Sequence, residues 1–324
     1  MSKNGYLIIS LDFELIWGVF DVIDLQDKRR YFENTIKVIP EILSLFKEND
    51  IHCTWAIVGM LFNRNWEEWK RNIPQNKPDY LNEKLSAYNY GSNHNSEEDD
   101  SFFFAPQLIR SIKNTKGQEV GTHTYSHYYC LEDSQNEVQF SNDLDIAINV
   151  AKDYGIELKS LVFPRNQLKD SYLKICKSKG ILNVRSNPLS WYWDDPTSES
   201  ILVKVARTGD AYLNFGKKSY SLENLETSND LPLEQPASRF LRPVEGQNFI
   251  RDLKIERIKR EMTSAAKAGE IYHLWWHPHN FGVEPEESML DIMKIINHYK
   301  ELNVKFNFQS LNMDELGALV LNKV

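Results

Sequence analysis

Two histidines stand out in this sequence because of their spacing. His123 and His127 are four residues apart, just after a short segment that favours a β-strand, and Gly121 before them permits a sharp turn. If a helical turn begins there, residues four apart lie on one face, about 5–6 Å from each other. At that spacing two neutral imidazoles can bind one ion of the Zn²⁺ class. The alternative is a pair of surface or capping histidines.

Two carboxylates near the N-terminus could complete such a site. Asp12 and Glu14 follow an apolar run, residues 6–11, that reads as a buried strand. Side chains alternate along a strand, so the two carboxylates point the same way and Phe13 points the opposite way. In parallel α/β sheets and barrels, reactive groups collect at the C-terminal ends of strands. The alternative is that one carboxylate caps a helix or pairs with a Lys or Arg.

With these motifs the chain resembles the polysaccharide deacetylase (NodB-homology) superfamily, which includes carbohydrate esterase family four. In that family an acidic pair at a strand end is followed by an H-[ST]-x-x-H motif, which residues 123–127 match at every defined position. Residues 10–14 differ from the usual T-F-D-D form, because one residue separates the two acids. They are closer to the D-x-D and D-x-E forms of the peptidoglycan-deacetylase-like and allantoinase-like branches.

The resemblance implies roles for these residues. Asp12 is the expected catalytic base, and Glu14 is expected to bind a divalent metal ion together with His123 and His127. Zn²⁺ is the first expectation for a site of mixed imidazole and carboxylate ligands, although other first-row ions also suit such ligands. The spacing of the two acids leaves the roles of Asp12 and Glu14 open to exchange.

Two further motifs follow in the family's order. Residues 162–167 contain Pro and Arg in altered order, and Arg165 is expected to hold Asp12 ionised and oriented. The alternative for Arg165 is a buried arginine that bridges loops. Residues 273–282 resemble the last motif, whose general acid matches His277. Histidine suits that role because an unperturbed imidazole titrates near pH 6.5. His279 could instead be the acid, a third imidazole ligand or a substrate contact, whereas His273 is expected in the core.

Aromatic and basic side chains on the predicted loops suggest contacts to a sugar. Aromatic rings can stack on the apolar face of a sugar ring, but core packing is the alternative for each of them. Arg242 could bind a phosphate or carboxylate through its guanidinium fork, or lie on a surface loop. The candidate substrate-binding residues, besides His279, are Trp17, Trp191, Trp193, Trp276 and Arg242.

Composition narrows the class of protein. The net charge of −8, without a Lys/Arg block, argues against binding to nucleic acid. No apolar stretch approaches the roughly 20 residues that span a bilayer. The first apolar run is short and lacks a signal-peptide cleavage pattern. Three widely spaced cysteines fit reduced thiols better than disulfides. We therefore expect a cytoplasmic protein; the sequence does not determine its oligomeric state.

Alternating strand and helix patterns favour a mainly parallel sheet, and with the resemblance they predict an α/β fold, a distorted (β/α) barrel of the NodB-homology type. We expect one domain over residues 1–324, with an inserted excursion at about 62–104 and irregular loops at about 190–245. The predicted strands are 6–11, 52–58, 118–122, 158–163, 181–185, 271–276 and 304–308. The predicted helices are 30–49, 105–115, 135–154, 169–179, 247–268, 286–302 and a short one after residue 311.

The expected function is a metal-dependent hydrolase that removes an N-acyl group, first an N-acetyl group, from an amino sugar. Because the chain is expected in the cytoplasm, a lipid- or nucleotide-linked glycan precursor is the expected substrate. The alternative is an allantoinase-like hydrolase of a cyclic amide or other small-molecule C–N bond, since that branch shares the D-x-[DE] and H-P-x-x-x-G features. A third hypothesis is an inactive relative that only binds carbohydrate. The presence of the full set of site residues argues against it.

Overall fold

The computed structural model describes residues 4–94, 97–193, 200–210, 216–244 and 248–321. The strands are Tyr6–Phe13 (β1), Cys53–Ile57 (β2), Gln118–Thr122 (β3), Ser160–Val162 (β4), Asn183–Ser186 (β5), Leu233–Pro236 (β6), Arg239–Phe240 (β7), Ile271–Trp276 (β8) and Gln309–Leu311 (β9).

The helices surround this sheet. They are Arg29–Glu48 (α1), Trp66–Arg71 (α2), Ala87–Ser92 (α3), Asp100–Phe103 (α4), Pro106–Asn114 (α5), Glu137–Asp153 (α6), Asp170–Ser178 (α7), Ile201–Gly209 (α8), Asn248–Ala268 (α9), Pro285–Phe306 (α10) and Met313–Leu321 (α11).

All the paired strands run parallel, in the order β6-β5-β4-β3-β2-β1-β8-β7, with β9 beside the start of β1. The two edge strands of the sheet are consecutive in the chain, with only residues 237 and 238 between them. The first, β6, pairs with β5, and the second, β7, pairs with β8. The amide of Ala237 donates to Ser186 and that of Ser238 to His273, which continues the bonding across the junction. The predicted distorted (β/α) barrel is confirmed.

The strand β1 is buried along its whole length, as the apolar run predicts. It pairs with β8 over Tyr6–Leu11 and with β2 over Ser10–Phe13, so it lies at the centre of the sheet. Because the neighbouring strands are parallel, their C-terminal ends open on the same edge of the barrel. Loops that follow β1, β3, β5 and β8 therefore converge there.

Gly121 lies inside β3 rather than at a turn, which corrects the expected role of this glycine. A Cβ atom at this position would lie 2.8 Å from the carbonyl oxygen of Ser160, the first residue of β4. The absence of a side chain lets the backbones of β3 and β4 approach each other. Thr122 and Leu161 then pair directly, just before the first candidate histidine.

Residues 62–104 contain three short helices, α2 to α4, and a dense aromatic cluster. Trp17, which follows β1, is fully buried in that cluster and stacks on Trp69 with ring centroids 6.3 Å apart. Its indole nitrogen donates to the carbonyl of Phe103 at 2.8 Å. Trp66, Tyr90 and Phe103 also contact the ring of Trp17, so this aromatic cluster packs against the segment that follows β1.

Two element predictions are wrong. Residues 304–308 were expected as a strand, but α10 continues to Phe306 and ends where Asn307 adopts a left-handed conformation, with φ 54°. The strand follows as β9. Residues 190–245 were expected as irregular, yet their described parts contain α8, β6 and β7. The two short strands, one ending in a proline, carry too little periodic pattern to be recognised.

Substituting Gly121→Ala should destabilise the fold by about 1–3 kcal/mol, because the added methyl group meets backbone that is part of the sheet. The free energy of unfolding from urea denaturation tests this. The exposed Gln107→Ala on α5 is the control and should change stability by less than about 0.5 kcal/mol. Equal stability of Gly121→Ala and the native chain would show that β4 can move aside.

Candidate active site

Asp12 forms a bidentate ion pair with Arg185 inside the barrel. Asp12 lies near the end of β1 and Arg185 near the end of β5, and both N···O distances are 2.7 Å. Their side chains are 3% and 1% exposed, so the pair is shielded from water. Arg185 also donates to the hydroxyl of Ser10 at 3.0 Å and stacks over the ring of Trp275, 4.1 Å from its centroid.

This pairing keeps Asp12 ionised. Burial by itself would raise the pKa of Asp12, but the charge and hydrogen bonds of Arg185 hold that pKa below its ordinary value. An ionised carboxylate held in one orientation by a planar guanidinium can accept a proton from a neighbouring group.

Glu14 lies beside both histidines of the H-x-x-x-H motif. Its Oε1 atom is 3.0 Å from Nε2 of His123 and 3.3 Å from Nε2 of His127, and all three side chains are almost fully buried. The space for this carboxylate depends on Gly18, where a Cβ atom would fall 1.9 Å from Oε2 of Glu14. The predicted grouping of Glu14, His123 and His127 is thus present in the structure.

The protonation states of this group suit metal binding. Burial would raise the pKa of Glu14, but the neighbouring His277, His123 and His127 together hold it well below the ordinary value. Burial lowers the pKa of His127 against the opposing effect of Glu14. A carboxylate and a neutral imidazole are the forms in which these side chains bind a metal ion.

The two histidines converge through a loop rather than through a helical turn. Thr124 and His127 both have left-handed backbone conformations, with φ 63° and 57°, so residues 123–127 are not helical. Asp143 on α6 holds this loop, because its carboxylate accepts from the backbone amides of Tyr125 at 2.6 Å and Ser126 at 3.1 Å and from the Ser126 hydroxyl. The imidazole centroids are 5.0 Å apart.

The outer nitrogen of each imidazole has a defined partner. Nδ1 of His123 lies 2.8 Å from the carbonyl of Val162, which can only accept a hydrogen bond, so this nitrogen carries the proton. Nδ1 of His127 lies 3.0 Å from the hydroxyl of Tyr129. Such contacts fix the tautomer of a metal-binding histidine and leave Nε2 as the ligand atom.

The arrangement of Glu14, His123 and His127 fits a divalent ion. Nε2 of His123 is buried and has no hydrogen-bond partner among the described residues. Atoms that bind one Zn²⁺ at about 2.0–2.2 Å lie roughly 3.0–3.5 Å from each other. The distances of 3.0 and 3.3 Å from Glu14 to the two imidazoles fall in this range.

The histidines after β8 also lie beside Glu14. His277 is 23% exposed, and its Nε2 atom is 3.7 Å from both Asp12 Oδ2 and Glu14 Oε1. His279 is buried and stacks on His277 with ring centroids 4.8 Å apart. Burial lowers the pKa of His279 to about 3, so its imidazole is neutral at physiological pH. His277 is the one of the two that a substrate can reach.

Arg165 does not make the expected contact with Asp12. Its guanidinium pairs with Asp21 and lies over the ring of Tyr129, 4.2 Å from the centroid. Arg165 follows β4 in a left-handed conformation, with φ 53°, which directs it to the rim of the site. The position next to Asp12 is taken by Arg185, so the predicted role of Arg165 passes to that residue.

Trp276 faces away from the site, which corrects its assignment as a substrate contact. It is fully buried outside the barrel strands, stacked on Phe281 and edge-on to Phe46 of α1. Alternation along β8 instead turns Trp275 inward, where its ring lies 5.6 Å from that of His277. Trp275 is the tryptophan of this strand that borders the site.

The other predicted substrate contacts differ in exposure. Trp17 is in the core, so the structure contradicts its assignment. Trp191 is 65% exposed and Trp193 is partly buried, and both lie on the loop that follows β5. Arg242 is partly buried just beyond β7, next to Leu241, whose amide donates to Trp275. These three residues lie at the barrel edge that holds the site, and their contact with substrate stays a prediction.

Sequence reasoning missed residues whose signals were partly present. Arg185 is the last residue of a predicted strand, and the two carboxylates also lie at a strand end. Reactive groups collect at the C-terminal ends of parallel strands, so the same argument would have selected Arg185. Trp275 has the same parity along its strand as His273 and His277. Tyr129 and Asp143 gave no such signal, because their role depends on how the loop after β3 and the helix α6 pack.

Comparisons with known proteins were made for sequence and for structure. Residues 31–184, just under half of the chain, match the family model described as polysaccharide deacetylase. The matched region holds His123 and His127 and ends one residue before Arg185. Asp12, Glu14 and His277 lie outside it. A search of curated protein sequences found no significant match.

Solved structures share the fold at low identity. A candidate polysaccharide deacetylase from Mycobacterium smegmatis has a TM-score of 0.63 and 14% identity over 100% of this chain and 92% of its own. Puue allantoinase has a TM-score of 0.57 and 13% identity over 97% and 89%. A candidate polysaccharide deacetylase from Pseudomonas aeruginosa PAO1 has a TM-score of 0.56 and 12% identity over 98% and 91%.

The family-model match agrees with the resemblance that the four motifs carry, and the solved structures share the predicted fold. Within the described residues, the structure contains no helix of the length and apolar character that a membrane span needs.

Replacing Tyr129 with Phe should weaken Zn²⁺ binding by about 10–100-fold, because Nδ1–H of His127 loses the hydroxyl that accepts its hydrogen bond. Equilibrium dialysis with elemental analysis measures this affinity. Tyr128→Phe is the matched control, since the Tyr128 hydroxyl donates to the backbone carbonyl of Asn136 at 3.1 Å. Equal affinities of the two variants would contradict the assigned role of Tyr129.

Proposed function

We propose that this chain, whose residues 31–184 match the polysaccharide deacetylase family model, is a metal-dependent hydrolase that removes an N-acyl group, first an N-acetyl group, from an amino sugar. The observation that carries this proposal is the grouping around Glu14. Three side chains that could hold a metal ion, Glu14, His123 and His127, lie close to Asp12 and to the partly exposed His277.

In this proposal Glu14, His123 and His127 hold one divalent ion, with Zn²⁺ as the first choice. When bound, such an ion lowers the pKa of a bound water and polarises a carbonyl group. Three protein ligands leave further positions open, as catalytic sites require. The orientation of the ligands is supported by Val162 and Tyr129, as described above.

Asp12 is the proposed general base. Its carboxylate is held ionised by Arg185, and it lies on the same face of β1 as Glu14, so it can take a proton from an attacking water. The structure favours this division of roles over the exchanged one, because Glu14 contacts both imidazoles and Asp12 contacts the guanidinium.

His277 is the proposed general acid that gives a proton to the leaving amine. It is more exposed than His279, and Nε2 of His277 lies 3.7 Å from Asp12, so acid and base border the same space. Hydrolysis of an amide needs both groups, because attack releases a proton and the amine departs only when it gains one.

An amino sugar suits the surroundings of the site. Trp191 offers an exposed ring on the loop after β5, and Arg242 offers a guanidinium beyond β7 that could bind the phosphate of a lipid- or nucleotide-linked sugar. A cytoplasmic location fits Cys53, Cys130 and Cys176, which are free, buried thiols. The substrate proposed is therefore a glycan precursor inside the cell.

Replacing Arg185 with Met should move the acidic limb of the pH profile of kcat/KM to higher pH. Arg185 holds the pKa of Asp12 below its ordinary value, so removal of its charge raises that pKa and leaves less ionised base at low pH. Arg165→Met is the matched control, since that guanidinium pairs with Asp21 and should leave the limb in place.

Removal of one partner of a buried ion pair lowers the free energy of unfolding by about 3–5 kcal/mol. Thermal unfolding of Arg185→Met is therefore measured as well, to show that the variant is folded. Arg185→Lys, which keeps the charge, supplies a second variant, whose limb should stay nearer the native position. An unmoved limb in a folded Arg185→Met variant would exclude Asp12 as the base.

The Zn²⁺-loaded chain should release acetate from N-acetylated sugar nucleotides or lipid-linked amino sugars. Asp12→Asn should lower turnover by about 10²–10⁴-fold while metal stays bound, as for a lost general base. Glu14→Gln should lose metal as well, because it removes a ligand. Loss of metal in Asp12→Asn with retention in Glu14→Gln would show that the two roles are exchanged.

The alternative is an allantoinase-like hydrolase, and the fold similarity to Puue allantoinase is the reason to test it. A panel of ureides distinguishes this alternative from the proposed deacetylase. Turnover of a cyclic ureide, with no acetate release from any N-acetylated sugar, would replace the deacetylase proposal with that alternative.

A further inference from the structure

The site contains a second group of ligand atoms that the proposed reaction does not use for metal binding. Glu14, His277 and His279 offer one ligand atom each, all within 4.8 Å of one another, as do Glu14, His123 and His127. The two groups share the carboxylate of Glu14. Its Oε1 atom lies 3.0 Å from His123, 3.3 Å from His127 and 3.7 Å from His277, and its Oε2 atom lies 3.7 Å from Nδ1 of His279.

His279 points to a ligand by itself. Its side chain is 5% exposed, and its Nδ1 atom has no hydrogen-bond partner among the residues that the structure describes. A buried polar atom without a partner loses free energy comparable to a hydrogen bond, so it calls for an explanation. The orphaned nitrogen is directed at Glu14, where a cation would satisfy both atoms.

We propose that Glu14, His277 and His279 form a second site for a divalent ion of the first transition row, and that an ion bound there inhibits the enzyme. Glu14 would then be a ligand common to both sites. Nitrogen and carboxylate ligands of this kind suit Zn²⁺ and its neighbours. The binding part of this proposal is independent of the reaction, whereas the inhibition rests on the proposed function.

The second site should bind more weakly than the first. Its 3.7 Å separations from Glu14 are longer than the 3.0 and 3.3 Å of the first group, so its ligands must move by a few tenths of an ångström to share an ion. Two dications also repel each other, and of the two carboxylates nearby Asp12 is already paired with Arg185. The expected affinity is at least about tenfold lower than that of the first site.

Inhibition follows from the chemistry of His277. An imidazole nitrogen that binds a metal ion carries no proton, so His277 cannot give one to a leaving amine while the second ion is bound. Excess Zn²⁺ should therefore lower turnover even though the first site is already full.

The experiment titrates the metal-free chain with Zn²⁺ in equilibrium dialysis and counts bound ions by elemental analysis. We expect two equivalents for the native chain and one for His279→Asn. His277→Asn, at a more exposed position, should also bind one and covers the case in which His279→Asn is unstable in thermal unfolding. His298→Asn is the control, because His298 contacts Thr263 and belongs to neither group, and it should keep two equivalents.

Saturation of the native chain at one equivalent, or two equivalents in both His277→Asn and His279→Asn, would overturn the second site. Acetate release that does not fall when Zn²⁺ exceeds one equivalent, despite two bound ions, would overturn the inhibition. Two bound ions without turnover of any N-acetylated sugar would instead contradict the proposed function and leave the second site standing.

Discussion

Asp12 and Glu14 are buried at the end of β1, and a buried carboxylate is stable only with charged or hydrogen-bonding partners. Each carboxylate has a different set. Asp12 has the guanidinium of Arg185 from β5, four strands away across the barrel. Glu14 has the imidazoles that follow β3 and β8. The barrel brings these strand ends together. Without it the two buried carboxylates would have no charged or hydrogen-bonding partners.

The different partners give two adjacent, chemically similar side chains different properties. Arg185 fixes Asp12 in an ionised form without occupying a position at a metal ion. Glu14 has imidazole nitrogens around it at 3.0–3.7 Å, a distance suited to an ion shared with them. The single residue between the two acids turns both side chains to the same face, while the partners around that face separate their roles.

Positions further out support this arrangement. Asp143 of α6 holds the loop of the two histidines through backbone amides, and Gly121 lets β3 and β4 approach closely just before it. Gly18 leaves the space that the carboxylate of Glu14 fills. Aromatic side chains of residues 62–104 pack against Trp17 in the segment that follows β1. None of these residues contacts both carboxylates, yet each restricts where a ligand atom can lie.

The sequence by itself determined the order of most strands and helices and the acidic pair at the end of β1. The family resemblance predicted that one of the two acids, first Glu14, groups with His123 and His127, and left the exchange with Asp12 open. Hydrophobic periodicity and alternation are local properties, so they can be read along the chain. Tertiary structure decided that Arg185 rather than Arg165 pairs with Asp12, that Trp275 rather than Trp276 borders the site, and that Trp17 is in the core. These contacts depend on which faces of distant segments pack together. No local sequence pattern around an arginine or a tryptophan predicts which residue it will contact. The sequence also did not predict that β6 and β7 close the barrel. Strands this short carry no recognisable pattern of their own and are defined by their pairing with β5 and β8.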